Sequence, residues 1–144
     1  MAARPWPWPL ELSAALALGA LQTLAYVHTE AWWLQLACVG LLAWRVRHAA
    51  AGRAALLGAA YGTAWVAAGT WWLFISMHRY GHLPAWLAAA AVAALAALLS
   101  LYLALAAAAY RRWRRGGAGD MLLFGACWLL AELARGLIFT GFPW

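Results

Sequence analysis

Glu132 and Arg135 are the side chains in this sequence best suited to chemistry, a carboxylate and a guanidinium three residues apart inside an apolar segment. On a helix that spacing places both on one face. An ionisable group within a membrane-spanning helix costs roughly 2.5–3.5 kcal/mol on insertion scales, so such groups face a partner or a wet cavity. Two readings follow. One is an ion pair that locks the last helix against its neighbours, and the other is a contact for a phospholipid head group. The ion pair is the simpler, because it needs only local partners. His78 and His82 are four apart, which on a helix would gather two metal ligands. Gly81 and Pro84 disfavour a helix there, and no carboxylate or thiol is close in sequence. Interfacial histidines, no metal site and no cofactor are expected. Cys38 and Cys127 both fall within apolar runs, which supports neither a disulfide framework nor a zinc motif, and the chain has no lysine. No catalytic residue is assigned.

The elements that carry these groups are set by solvent. With 68% hydrophobic residues, 10% charged residues and a positive mean hydropathy, the chain has more apolar surface than a soluble core of this length encloses. Charges are confined to short patches between apolar stretches near the roughly 20 residues that cross a bilayer. The expected fold is all-α, a polytopic transmembrane helical bundle of about five spans, read as one domain over residues 1–144. The net charge of +6 comes from ten arginines against Glu11, Glu30, Asp120 and Glu132. The arginines sit at span ends, which points to topology and not to nucleic acid.

Alternating prolines from Pro5 to Pro9 exclude a helix at the N-terminus, where Trp6 and Trp8 suit the headgroup region. Spans are expected at about 10–27, 31–46, 54–77, 85–110 and 121–139. The second is short, and a tilted or re-entrant hairpin is an alternative there. In the third, Gly58 and Gly62, with Gly69 two turns on, mark a packing face where helix backbones approach closely. Asp120 stands where a helix cap belongs. The first basic loop holds Arg45, Arg47 and Arg53, and the second holds Arg111, Arg112, Arg114 and Arg115, whereas the two opposite loops share only Arg79. The positive-inside rule therefore puts the N-terminus in the cytoplasm and the C-terminal end on the periplasmic side.

Several segments carry a resemblance. Near the end stand Arg135-Gly136 and then Phe139-Thr140-Gly141-Phe142-Pro143-Trp144. Earlier come Gly69-Thr70-Trp71-Trp72 with Ile75-Ser76, a loop with Gly81 and Pro84, and Leu99-Ser100-Leu101-Tyr102 before a basic loop. Together, in order and over nearly the whole chain, they resemble the membrane domain of apolipoprotein N-acyltransferases. These are bacterial inner-membrane enzymes that add the last acyl chain to lipoproteins. The turn Ala25-Tyr26-Val27-His28-Thr29-Glu30 departs from the family, which usually has a proline after an aromatic residue there.

The resemblance implies an enzyme in which a cysteine thiolate takes an acyl chain from a membrane phospholipid as a thioester and passes it to the amine of a diacylglyceryl-cysteine. It also implies further spans and a nitrilase-type domain with a Glu, Lys and Cys set. A chain without lysine cannot contain that set, and Cys127 lacks the lysine and glutamate partners of such a nucleophile. The expectation is therefore the N-terminal membrane portion of such an enzyme, inactive alone, in the bacterial inner membrane. Membrane phospholipid is its expected partner, with a lipoprotein substrate only when the catalytic domain is supplied. The candidate lipid-facing or structural residues are Trp71, Trp72, Arg79, Tyr80, Glu132, Arg135, Thr140, Gly141, Phe142, Pro143 and Trp144. Arg79 offers a phosphate contact, or is simply solvated. The alternative is a small noncatalytic membrane protein that binds lipid or a partner membrane protein.

Overall fold

A computed structural model describes residues 7–138, and these are helical or loop, with no strand among them. The α-helices among the described residues are, in order, α1 (Trp8–Gln22), α2 (Leu24–Val27), α3 (Trp32–Val46), α4 (Ala51–Gly69), α5 (Trp71–Ile75), α6 (Ala85–Trp113) and α7 (Asp120–Ile138). Local chemistry explains where they start and stop. Pro7 caps α1 and Pro84 caps α6, positions where a fixed φ and a missing N–H are tolerated. The alanine and leucine content of α6 gives it strong intrinsic helicity over 29 residues. α4 stops at Thr70, whose hydroxyl donates back to the Val66 carbonyl at 2.7 Å, a bond that competes with the helical ladder.

Three helical stretches are long and apolar enough to cross a bilayer, namely Trp8–Val27, Ala85–Trp113 and Asp120–Ile138. The chain is thus a helical membrane protein, and the structure supports three of the expected spans on length and hydropathy. α3 has 15 residues and covers only about 22 Å of a hydrocarbon core roughly 30 Å thick. α4 carries Arg53 in its first turn and breaks at Thr70 before α5 continues the segment.

α4 is the centre of the bundle, packed on α1, α3 and α6, while α7 lies against α6. Glycines permit the tightest crossings. A Cβ built on Gly19 of α1 would lie 2.1 Å from the Tyr61 carbonyl oxygen on α4. On Gly58 it would lie 2.6 Å from the Leu103 oxygen on α6, and on Gly62 2.9 Å from the Ser100 Cβ. Lipid gives no hydrophobic drive between helices, so close backbone approach and dispersion supply the cohesion. Gly69 does not join this face, because nothing lies within 4 Å of its Cβ position. Across the same crossing the Thr63 hydroxyl donates to the Ser100 oxygen at 2.9 Å.

One end of the bundle gathers the arginines. Arg45 of α3 pairs with Glu11 of α1, and the Arg53 guanidinium lies 4.8 Å from the Trp8 ring centroid. Arg111 Nε donates to the Ala49 carbonyl and Arg114 Nη1 to the Arg47 carbonyl, so the second basic loop is tied onto the first. Asp120 does not serve as an ordinary cap. Its carboxylate turns back to accept from the N–H groups of Arg115 and Gly116, each at 3.0 Å, and from Arg114 Nε at 3.1 Å. Gly116, with φ +82°, gives the loop the left-handed turn this requires.

Candidate functional site

At the end opposite the two basic loops, α2, α5 and the C-terminal turns of α4 and α7 enclose an open cleft of about 500 Å³. Each wall has a local cause. Thr23 interrupts the first span, and its hydroxyl donates to the Trp65 carbonyl on α4 at 3.4 Å, which holds α2 against that helix. The break at Thr70 then turns Trp71 and Trp72 to the cleft. Both rings are half exposed or more.

Glu132 and Arg135 reach the cleft from α7 as an ion pair. Arg135 makes a second contact, with its guanidinium 5.6 Å from the Trp65 centroid, so one cation bridges α7 to α4. Trp65 in turn stacks on Tyr26 at 6.3 Å, and the Tyr26 hydroxyl accepts from Gln35 Nε2 at 3.3 Å. Aromatic contacts continue inward through Trp128 at 6.1 Å from Trp65, Phe124 at 5.9 Å from Trp128, and Tyr110 at 5.2 Å from Phe124. Such offset and edge-on contacts are worth roughly 0.5–1.5 kcal/mol each beyond their buried area. They tie the cleft wall on α4 to α7 and α6. One turn further in, Gln22 and Tyr61 are wholly buried, and the Tyr61 hydroxyl has no hydrogen-bond partner among the described residues.

The structure therefore brings four of the sequence-derived candidates together: Trp71, Trp72, Glu132 and Arg135. Arg79 and Tyr80 are exposed and stand apart from the cleft lining, on a π-helical turn over Ser76–Tyr80. The helix runs further than Gly81 and Pro84 suggested, because Gly81 N–H bonds the Ser76 carbonyl at 3.0 Å and closes the wider turn. His78 Nδ1 is bonded to the Leu83 carbonyl at 2.8 Å, and this bond fastens the loop. Thr140, Gly141, Phe142, Pro143 and Trp144 lie outside the described residues.

Sequence reasoning missed Tyr26, Thr23 and Trp65 as cleft residues. A signal was available for Trp65, which precedes Trp72 by seven residues, two helical turns. Tyr26 gave none, since its partner lies on another helix. The cleft holds an aromatic wall, one ion pair and an opening, and no thiol lines it. Cys127 is buried against Leu42 and Leu103 instead. The arrangement is suited to holding an amphipathic molecule, with its apolar part on the rings and its polar part by the charges.

Comparison with known proteins gives a consistent result. The sequence model of a family described as apolipoprotein N-acyltransferase N-terminal domain matches residues 18–144. The apolipoprotein N-acyltransferase of Verminephrobacter eiseniae is 53% identical over 96% of this chain and 27% of its own length. That of Ralstonia nicotianae is 48% identical over 94% of the chain and 27% of its own length. That of Pseudomonas syringae pv. tomato is 39% identical over 95% of the chain and 28% of its own length. The chain spans little more than a quarter of the relatives it matches.

Proposed function

The chain belongs to the apolipoprotein N-acyltransferase family, and from that premise we propose that it is the lipid-receiving membrane portion of such an enzyme. The enzyme's reaction, on this reading, moves an acyl chain from phospholipid to the amino group of a lipoprotein's diacylglyceryl-cysteine through a cysteine thioester. Both substrates keep their tails in the bilayer and their reacting groups at its surface. The 144 residues hold no lysine, so the Glu, Lys and Cys set is supplied from outside them, and this portion alone transfers nothing. Its task is to seat tails and position heads.

The observation that carries this reading is the cleft where Trp71, Trp72, Tyr26 and Trp65 surround the Glu132–Arg135 pair. Indole rings are favoured at the headgroup level, where one edge is wet and the other apolar. With the arginine loops in the cytoplasm, the cleft opens to the periplasmic leaflet of the bacterial inner membrane. The second reading, a noncatalytic membrane protein that binds lipid or a partner, shares the cleft but not the chemistry.

The test is a chimera in which this chain replaces the N-terminal quarter of the Verminephrobacter eiseniae relative, assayed for acylation of a diacylated lipopeptide in phospholipid vesicles. Activity in the chimera and silence from the chain alone support the proposal. Replacing Trp71 and Trp72 by alanine should then raise KM for the phospholipid donor about tenfold, the loss of part of two apolar contact areas. A chimera that inserts and folds but transfers no acyl chain favours the noncatalytic reading.

A further inference from the structure

A second cleft lies at the arginine end of the bundle, with α3 and α7 as its walls and Tyr110 of α6 behind them. Its volume is about 580 Å³, within the range of small-molecule sites. Its rim is formed by Arg47, Arg114 and the loop of Gly116, Gly117 and Ala118. Below the rim the lining turns apolar, down to Leu36 on α3 and Phe124 on α7. We infer that this cleft binds one anionic phospholipid of the leaflet facing the arginine loops, with the phosphate at Arg47 and one acyl chain along Gly40 and Phe124.

Length argues for a lipid tail. Leu36 and Arg47 bound the lining on α3, and the eleven residues between those ends rise about 16 Å, which is half of a hydrocarbon core roughly 30 Å thick. A docked helix would need a groove running through both leaflets. An acyl chain needs one. The floor is also open where a tail would lie, since nothing stands within 4 Å of a Cβ built on Gly40.

Charge argues for an anion. The Arg47 side chain is exposed and has no hydrogen-bond or ion-pair partner among the described residues, whereas its carbonyl is held by Arg114. Asp120 also borders the cleft, but its carboxylate is already satisfied by Arg114 Nε and by the N–H groups of Arg115 and Gly116. Arg47 and Arg114 therefore leave the rim net positive. The imidazole of His48 reports the same field. Desolvation, and then Arg47, Arg114, Arg45 and Arg111, hold it below its ordinary value. Basic pockets between helices at a membrane surface are where anionic head groups bind. Trp44, partly exposed beside the rim, suits the same depth.

This site stands apart from the first cleft and does not depend on it. Along α7, residues 120–124 and 132–135 are separated by about 17 Å from centre to centre. The test reconstitutes the chain in vesicles of phosphatidylcholine and phosphatidylglycerol in equal parts, extracts it gently and weighs the retained lipid by native mass spectrometry. One phosphatidylglycerol per chain, in excess over phosphatidylcholine, is the expected result. Arg47→Gln should lower that preference about fivefold, equivalent to roughly 1 kcal/mol for one arginine at the membrane surface. Gly40→Leu should reduce retention of both lipids by filling the tail groove. Arg112→Gln, an exposed arginine outside the cleft, should change neither. Equal retention of the two lipids overturns the inference. So does an equal loss of preference in the Arg47 and Arg112 variants, which would mean diffuse attraction, or occupancy by a partner helix that leaves no lipid bound. Circular dichroism of each variant separates lost binding from lost folding, and Gly40→Ala, which leaves the groove open, must retain lipid as the parent does.

Discussion

Replacing Gly19 by alanine adds one methyl group, and the geometry makes it a severe change. The new carbon would sit 2.1 Å from the Tyr61 carbonyl oxygen, while real contacts begin near 3.0 Å, so α1 and α4 must part by about 0.9 Å. The obstacle is main chain and cannot rotate away. A gap of that size forfeits a quarter to a half of each van der Waals contact at the crossing, and on the order of 20 atom pairs at roughly 0.1–0.2 kcal/mol each lose about 0.5–2 kcal/mol in sum. That range overlaps the roughly 1–3 kcal/mol typical of overpacked cores. Alanine at Gly40 meets nothing, and there its better helix propensity should stabilise by up to about 1 kcal/mol or leave stability unchanged. The assay is unfolding by sodium dodecyl sulfate in mixed micelles, followed by tryptophan fluorescence. The expected order of cost is Gly19→Ala, then Gly58→Ala at 2.6 Å from the Leu103 oxygen, then Gly62→Ala, whose nearest contact is the Ser100 Cβ, with Gly40→Ala last. A Gly19→Ala variant no less stable than Gly40→Ala would refute the packing argument.

Glu11→Gln should destabilise the fold by about 1–3 kcal/mol in the same titration, while Glu30→Gln, on an exposed turn, should be silent; the Glu11 side chain is only 6% exposed where it pairs with Arg45, and one-sided removal of a buried ion is costly. A double-mutant cycle between Arg135 and Trp65 should give a coupling of about 0.5–1 kcal/mol, larger than any coupling of Glu132 to Trp65. The Glu132–Arg135 pair itself lies within one helix and survives in the micelle-unfolded state, so it adds little to that balance. The His48 resonance should titrate below its ordinary value, and Arg47→Gln should raise the midpoint. Because the folded-state value is depressed, the stability linked to neutral His48 is fully present above the unfolded value and is lost as pH falls through the folded one. A midpoint at or above the ordinary value would contradict the charge map of the arginine end.

Periodicity and composition are local properties, which is why they made the helices legible. Runs such as Ala85 to Tyr110 admit no other structure in lipid, where every backbone polar group must be satisfied within its own segment. The arginines likewise marked one end of the bundle before any contact was known. The glycines of α4 announced a packing face, and Gly58 and Gly62 form it. Gly69 shared their spacing, yet it stands free because α4 ends there against nothing. The carboxylate of Asp120 had two possible directions, forward into α7 or back into its loop, and only the folded loop with Gly116 decided between them.

The candidate site divides in the same way. Trp71, Trp72, Glu132 and Arg135 could be read from residue type and span position, because charge and indole are selected by membrane depth. Their meeting in one cleft with Tyr26 and Trp65 could not be read so, since it depends on how four helices, α2, α4, α5 and α7, come together. The second cleft is more dependent still. It lies between α3, which packs on α1 and α4, and α7, which packs on α6, so it depends on which helices each of the two walls is docked against. The sequence alone determined the helical class and the apolar solvent, both of which follow from transfer energies and local hydrogen bonding. The tertiary structure decided which groups face one another, because close packing is a property of surfaces in register and no residue carries it singly.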